Sequence, residues 1–261
     1  RGQLAFGDVL ALRARNANSQ TGVRVVLGSD HVSDAPPPSG LVATGRTGAL
    51  DAMEWIAVAR GGGGEGDGLP LRHIDVTAER LLMLGSVFPD TRLQLAPAQQ
   101  ALAVSLDGDA LSGALLVPDA KGAAIAGKLA RVHWRKAPAL GAATADAGGR
   151  SATDDIDPAA VPPLSLEVED LRFGDARLGT AKLRTRQQAD GMYVDQLQLR
   201  SPGQQIDVRG QWTGTGNAAR TRFAADVKSE NFGVLFDDVG VGDRLGGGHG
   251  QITAVMKAQI D

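Results

Sequence analysis

Cysteine is absent from this chain of 261 residues, and aromatic residues make up only 4% of it. A chain without cysteine has no disulfide framework, no thiolate catalysis and no cysteine-ligated metal site. It also lacks a run of about 18 apolar residues, which excludes a membrane-spanning helix or a signal peptide within it. The net charge is −3 and the basic residues are scattered singly, which disfavours binding to nucleic acid.

Glycine and proline are plentiful, with 35 and 12 residues, and they divide the chain by many turns. Between the turns apolar and polar residues alternate, as in "LSLEVEDLRFGDARLGTAKLRTR", residues 164–186. Because strand side chains point to opposite faces in turn, such runs predict strands with one apolar and one polar face. We therefore expect a mainly β fold built from many short strands.

A few segments depart from the strand pattern. Residues 49–60, "ALDAMEWIAVAR", have helical periodicity with Thr47 as the expected cap, and a helical turn is predicted within 229–240. The glycine-rich run 61–68 predicts a flexible loop. Residues 137–163, rich in Ala, Gly, Asp and Pro, predict a low-complexity linker or loop.

The chain also contains an internal similarity at an offset of 90 residues. "IDVTAERLLMLGSVFPDTRLQL" (74–95) matches "LSLEVEDLRFGDARLGTAKLRT" (164–185), with one inserted residue. Repetition of a multi-strand module favours an extended, stacked β architecture in which each unit needs its neighbours. The expected segments are a β segment with the helix and the Gly-rich loop (1–69), a β repeat (70–136), the linker (137–163) and a β repeat continuing beyond the fragment (164–261).

No motif predicts catalysis or a cofactor. Gly61, Gly63 and Gly66 satisfy G-x-G-x-x-G, but a helix precedes them and a strand follows, the reverse of the nucleotide-binding arrangement. Calcium-loop spacing and a G-x-S-x-G elbow are absent, although two distant carboxylates could still meet as in a glycosidase. We expect no enzymatic activity, no metal and no cofactor. The histidines lie in separate segments without ligand spacing: His31, His73, His133 and His249.

The apolar residues that recur along successive strands are the remaining candidate site. An ordinary sandwich or barrel would pack them against a second sheet. Helices that could cover them are nearly absent, however, and a single curved sheet with an open apolar face would be stable with acyl chains on it. The expected lining residues are Leu164, Leu166, Val168, Leu171, Phe173, Leu178, Leu183, Val194, Leu197, Leu199, Ile206, Val208, Trp212, Phe223, Val227, Ile74, Val76, Leu81, Phe88 and Leu93.

Residues 161–214 resemble the YhdP-type proteins of the AsmA-like superfamily, through "LRFGDARLG", "DGMYVDQLQLRSP" and "VRGQW". The later "SENFGVLFDDVG" and "GGGHGQI" carry the same resemblance. So do "GLVATGRTGALDAMEWIAV" and "HIDVTAERLLMLGSVFPDTRLQL" upstream. The resemblance covers most of the chain except 61–69 and 137–163, and its motifs are structural rather than catalytic.

The resemblance implies a fold, a place and a function. Such proteins have a curved, taco-like antiparallel β-groove with an apolar interior in the periplasm, and an N-terminal helix anchors them in the inner membrane. They are related to TamB and to the eukaryotic bridge-like lipid transfer proteins, and are implicated in moving phospholipid to the outer membrane. The implied partners are phospholipid acyl chains and, through regions missing here, the two membranes.

This chain begins at Arg1 and lacks the anchor and both tips of a complete member, so we expect it to be a middle segment. The alternative is a non-enzymatic structural or surface-binding β-module, like a stalk or an adhesin, with a closed apolar core. Apolar faces closed on themselves would favour the alternative, whereas an open apolar face would favour the lipid groove.

Overall fold

The computed structural model describes residues 2–6, 9–17, 19–59, 69–83, 86–135, 158–159, 161–215, 220–229 and 250–258. These residues form two compact units, unit 1 (residues 1–120) and unit 2 (residues 121–261). Both units are mainly β, and α1 (Ala52–Ala59) is the helix of unit 1. The four segments expected from composition stay a prediction.

Unit 1 is one sheet with the strand order β1-β2-β3-β4-β6-β7-β8-β9, and β5 pairs with β6 beside β4. The order is open, because β1 stands at its edge. The described strands of unit 1 are β1 (Gly2–Phe6), β2 (Leu10–Ala17), β3 (Gln20–Leu27), β4 (Gly40–Thr47), β5 (Leu50–Asp51), β6 (Leu71–Met83), β7 (Ser86–Ala98), β8 (Ala101–Asp107) and β9 (Leu111–Pro118).

Unit 2 is a sheet in which each strand pairs with the next along the chain, and its order ends at β16 without closing. Over the described residues both units are mainly β in unclosed, mostly antiparallel strand orders, with one short helix in unit 1, and this confirms the predicted fold class. The described strands of unit 2 are β10 (Ile125–Trp134), β11 (Leu164–Phe173), β12 (Ala176–Gln188), β13 (Gly191–Ser201), β14 (Gln204–Thr213), β15 (Arg220–Ser229) and β16 (Gly250–Ala258).

Parallel pairs interrupt the antiparallel order where the connections are long. β3 pairs with β4, β4 and β5 pair with β6, and β10 pairs with β11, all in parallel. A parallel pair requires the chain to cross back from one end of the sheet to the other, which a tight turn cannot do. The crossing segments are residues 28–39, residues 52–70, which include α1, and residues 135–163. The predicted linker therefore joins two neighbouring strands.

The helix is shorter than predicted, and its cap is a different residue. Leu50 and Asp51 pair with β6, so the helix begins at Ala52 instead of residue 49. The Asp51 carboxylate accepts the backbone N–H groups of Met53 and Glu54 at 2.8 and 3.2 Å, as an N-cap does. Thr47 as the cap is wrong, since its hydroxyl donates to the Ala49 carbonyl.

Some predicted loops and turns fall outside the described residues. These are the Gly-rich run 61–68, most of the linker 137–163 and the helical turn predicted beyond Ser229. The end of the linker is described, and there Pro158 is fully buried. A hairpin turn at "DGD" (107–109) joins β8 and β9.

The internal similarity of the sequence corresponds to a structural repeat. β7 and β12 are both 13 residues long, and they begin 90 positions apart, at Ser86 and Ala176. The strands that follow, β8 and β13, begin at Ala101 and Gly191, again 90 apart. The two copies therefore share a hairpin and the strand after it.

Candidate functional site

The candidate site is one face of the unit 2 sheet, called here the apolar face. Cross-strand pairing places Leu166 beside Leu183, Leu183 beside Leu197, and Leu197 beside Val208. Paired side chains on neighbouring strands share a face and lie about 4.5–5.5 Å apart at Cβ, so this row is continuous. A parallel row runs beside it through Val168, Ala181, Leu199, Ile206 and Val227.

Two β-bulges keep the apolar residues in phase. Val168 pairs with Ala181 and Leu171 with Gly179, so β11 holds one more residue than β12 between these pairs. An extra residue on one strand reverses the alternation that follows it. Leu171 therefore returns to the apolar face, although the two polar residues before it break the period of two.

The second bulge has the same effect on β13. Val194 pairs with Gly210 and Leu197 with Val208, so β13 has one residue more than β14 over this interval. Asp195 and Gln196 occupy the bulge. Without it, either Val194 or Leu197 would point to the polar side.

The apolar face is partly open. Leu166, Leu183, Leu197 and Val208 are half-buried, and Phe173 at the end of β11 is 46% exposed. Ala181, Thr185 and Val194 are buried between them. A sheet face covered by a second layer would bury its large aliphatic residues, so this face is available to a ligand.

Titratable groups are missing from the apolar face of β10–β15 where the structure describes it. In the cross-strand rows of Leu166 and Val168, every partner is aliphatic or glycine. The Thr185 hydroxyl is buried on this face, and it accepts the backbone N–H of Leu164 at 2.8 Å. The surface can hold aliphatic chains, but it offers no group that could transfer a proton or ligate a metal.

Phe223 and Gly210 form a close contact on the apolar face. They are cross-strand partners, and a Cβ atom added at Gly210 would lie 2.1 Å from Cδ1 of Phe223. The ring therefore lies over the glycine, in the space that a side chain would fill. Because of this packing, the Phe223 ring projects less far from the sheet than it would over a residue with a side chain.

The opposite, polar face carries ion pairs within and between strands. Asp170 accepts from Nε2 of His133 at 2.8 Å and from Arg172 at 3.0 Å. Arg172 first, and then His133, lowers the pKa of the Asp170 carboxyl. Asp207 accepts from Arg200 at 2.9 Å, which likewise lowers its pKa. Charges on this face and aliphatic groups on the other give the sheet two chemically distinct sides.

The lining residues predicted in unit 2 lie on the strands that form the apolar face. Leu178 differs, because it is the extra residue of β12 where the register shifts beside Leu171. Sequence reasoning missed Leu129, Val132 and Trp134 of β10, which pair with β11 and extend the face. Their alternation is visible in the sequence, but the parallel pairing across the linker is not. Those predicted from the sequence are Leu164, Leu166, Val168, Leu171, Phe173, Leu183, Val194, Leu197, Leu199, Ile206, Val208, Trp212, Phe223 and Val227.

The predicted lining residues of unit 1 are in a different environment. Their side chains are 0% exposed, as are their neighbours Leu95 and Ala78. In unit 1 these residues form a closed core. Each fully buried large side chain stabilises the fold by about 1.5–3 kcal/mol relative to an exposed one. The five residues are Ile74, Val76, Leu81, Phe88 and Leu93.

In the part of the chain that the structure describes, no three His, Asp or Glu side chains are grouped as metal ligands would be. His249 lies outside that part. Over the described ranges, no helix is both long enough and apolar enough to cross a membrane.

Comparison with known proteins gives one match. The sequence model of a family described as "YhdP protein" matches residues 2–258, which is nearly the whole chain. No curated protein and no solved structure matches the chain. The match includes both units and every strand described above.

Proposed function

Because the chain belongs to the YhdP family of the AsmA-like group, we propose that its apolar face holds phospholipid acyl chains. In this proposal the chain is the periplasmic segment of a bridge-like lipid transfer protein, and lipid moves along it between the inner and outer membranes. It acts without catalysis, since AsmA-like proteins form a lipid transport family. The partners are phospholipids and, through regions outside this chain, the two membranes.

The observation that supports the proposal is the half-buried apolar face of unit 2. It extends through the paired rows of β11–β15, in which every partner of Leu166 and Val168 is aliphatic or glycine. Polar ligands such as sugars or nucleotides need several hydrogen-bonding partners, whereas the Thr185 hydroxyl on this face already bonds to the backbone. An acyl chain needs none, and it is stabilised by about 0.8 kcal/mol for each CH₂ group that it buries.

Movement along the face follows from its uniformity. Each row repeats aliphatic side chains at the strand spacing of about 4.8 Å, so an acyl chain has similar contacts at successive positions. Similar contacts give little preference for any one position, which permits sliding. The direction of movement would then come from the concentrations of lipid at the two ends.

Charge substitutions on the apolar face test the proposal. Glutamate at Leu166 or Val208 would place a carboxylate against the acyl chain, and its desolvation costs well over 1.4 kcal/mol. We expect Leu166→Glu and Val208→Glu each to lower bound phospholipid at least ~10-fold, measured by lipid extraction after incubation with vesicles.

Ala224→Glu is the matched control. Ala224 lies on β15 between Phe223 and Ala225 and is exposed on the polar side, opposite Arg209. This variant adds the same charge without touching the apolar face, so its phospholipid content should equal that of the wild type. If the Leu166 and Val208 variants fold and load as much phospholipid as Ala224→Glu, the proposed lining is wrong.

A structural function is the second candidate for unit 1. The complete burial of Ile74, Val76, Leu81, Phe88 and Leu93 is the closed core expected of a structural β-module. A structural unit 1 and a lipid-binding unit 2 are compatible within one chain.

A further inference from the structure

Equivalent positions of the structural repeat differ in exposure. Leu93 of β7 and Leu183 of β12 are 90 residues apart and lie in equivalent hairpins. Leu93 is 0% exposed, whereas Leu183 is only half-buried. Val76 and Leu166 differ in exposure in the same way. The difference therefore holds for the two hairpins as a whole and not for one pair of positions.

The closed region of unit 1 continues beyond its hairpin. Leu95 pairs with Val104 of β8, Leu93 pairs with Leu106, and none of these four side chains is more than 3% exposed. The protein interior is packed to the density of organic crystals. An acyl chain could contact these residues only if side chains that now touch one another were separated.

The open region begins after the first strand of unit 2. Leu129 and Val132 of β10 are 6% and 7% exposed. Their partners on β11, Val168 and Leu171, are half-buried. From β11 to β15 most large apolar side chains stay partly accessible, and Val194 is the buried exception.

We infer that acyl-chain binding is confined at rest to β11–β15 of unit 2, and that β6–β8 of unit 1 form a closed segment whose side chains must separate when lipid moves along the chain. This inference rests on the proposed function and gives it a location. The site takes aliphatic chains of lipids, and its limit at β11 is set by the burial of the residues before it.

Photo-crosslinking tests the location directly. The probe is a phosphatidylethanolamine with a diazirine in one acyl chain, supplied in vesicles to the whole chain and activated by light. Crosslinked peptides, mapped by mass spectrometry, should come from residues 164–227 and not from residues 71–106. Crosslinks of equal yield in both ranges would overturn the confinement while leaving the proposed function intact. Crosslinks in neither range would overturn both.

Single-cysteine labelling provides a second measurement, because the chain has no cysteine of its own. Leu93→Cys and Leu183→Cys are a matched pair within the repeat. A buried thiol reacts only when the structure opens locally, so a water-soluble maleimide should label Cys at position 183 at least ~10-fold faster than at position 93. Loading with phosphatidylethanolamine should slow the reaction at 183 and leave that at 93 unchanged. Equal rates in lipid-free protein, with both variants folded by circular dichroism, would overturn the inference.

Discussion

Gly210 lets an aromatic ring lie close to the apolar face. Phe223 occupies the space above the glycine, where a Cβ atom would be 2.1 Å from the ring. In a strand interior, glycine usually weakens the sheet because it has no side chain to pack. Here the ring of the neighbouring strand supplies that packing.

Gly210→Ala should therefore destabilise the protein. The new methyl group would push Phe223 off the sheet, and overpacking of this kind costs about 1–3 kcal/mol. Urea unfolding followed by circular dichroism measures the loss. Gly48→Ala is the control, because its Cβ would have no neighbour closer than 4.0 Å, and its cost should stay within about 0.5 kcal/mol. A Gly210 variant as stable as the control would contradict the packing described.

Asp75 should make stability depend on acidic pH. Its carboxylate accepts from Nε of Arg92 at 2.6 Å and from Gln94 at 3.2 Å, and Arg92 holds its pKa below the usual value. A lowered pKa in the folded state stabilises the protein above the usual aspartate pKa of about 3.9, and the contribution is lost as pH falls through the lowered value.

Urea midpoints at pH 7 and at pH values below about 4 check this dependence. We expect Asp75→Asn to lose less stability on acidification than the wild type, since it has no such carboxylate to protonate. Asp119→Asn, at an exposed turn, controls for the removal of one negative charge. Identical acid sensitivity of Asp75→Asn and the wild type would contradict the linkage.

At the residue scale, alternation in the sequence predicted which segments form strands and which of their side chains share an apolar face. It did not predict how far each is buried. Leu93 and Leu183 stand in similar local sequences, yet one is enclosed and the other is not. Burial depends on neighbours distant in the chain, which a local pattern does not contain.

At the scale of elements, the bulges decide which face an apolar residue joins. The sequences Val168-Glu-Asp-Leu171 and Val194-Asp-Gln-Leu197 each place two polar residues between apolar ones. A regular strand would send the two apolar residues to opposite faces. The bulges on β11 and β13 keep both residues on one face.

Deletion of Gln196 should test the bulge on β13. With one residue fewer, Val194 and Leu197 lie two positions apart and β13 matches the residue count of β14, so a regular strand keeps both on the apolar face. We expect this deletion to cost no more than about 1 kcal/mol. Deletion of Gln198, where the pairing is regular, turns Leu197 or Leu199 to the polar face and should cost about 1.5–3 kcal/mol. Urea unfolding compares the two deletions, and equal losses would contradict a single extra residue at Asp195 and Gln196.

The cap of α1 gives a smaller, local prediction. Asp51→Ala removes the acceptor for the N–H groups of Met53 and Glu54, so unit 1 should lose about 0.5–2 kcal/mol. Thr47→Ala, at the cap expected from the sequence, should lose less, because that hydroxyl bonds to Ala49 before the helix. Thermal unfolding of both variants distinguishes them, and the reverse order would contradict Asp51 as the cap.

Strand pairing was harder to predict than the strands. Hairpins such as β13–β14 follow from short turns between two runs of alternating apolar and polar residues. The parallel pairs β3–β4 and β10–β11 join strands across long segments without periodicity. Nothing local in those segments specifies which strand the chain returns to.

At the scale of the whole molecule, two copies of one module have come to differ. The family match includes both units. Unit 1 uses its apolar residues as a closed core, and unit 2 leaves them partly open. A closed copy contributes stability, whereas an open copy loses part of that stability and, in the proposed function, binds acyl chains. The repeat was visible in the sequence, but this difference was not.

Native mass spectrometry of the purified chain tests the central claim most directly. After incubation with phospholipid vesicles and removal of the vesicles, the folded chain should carry adducts with the mass of a phospholipid. Leu166→Glu should lack these adducts, and Ala224→Glu should keep them. A folded wild-type chain with no phospholipid adduct would contradict the account.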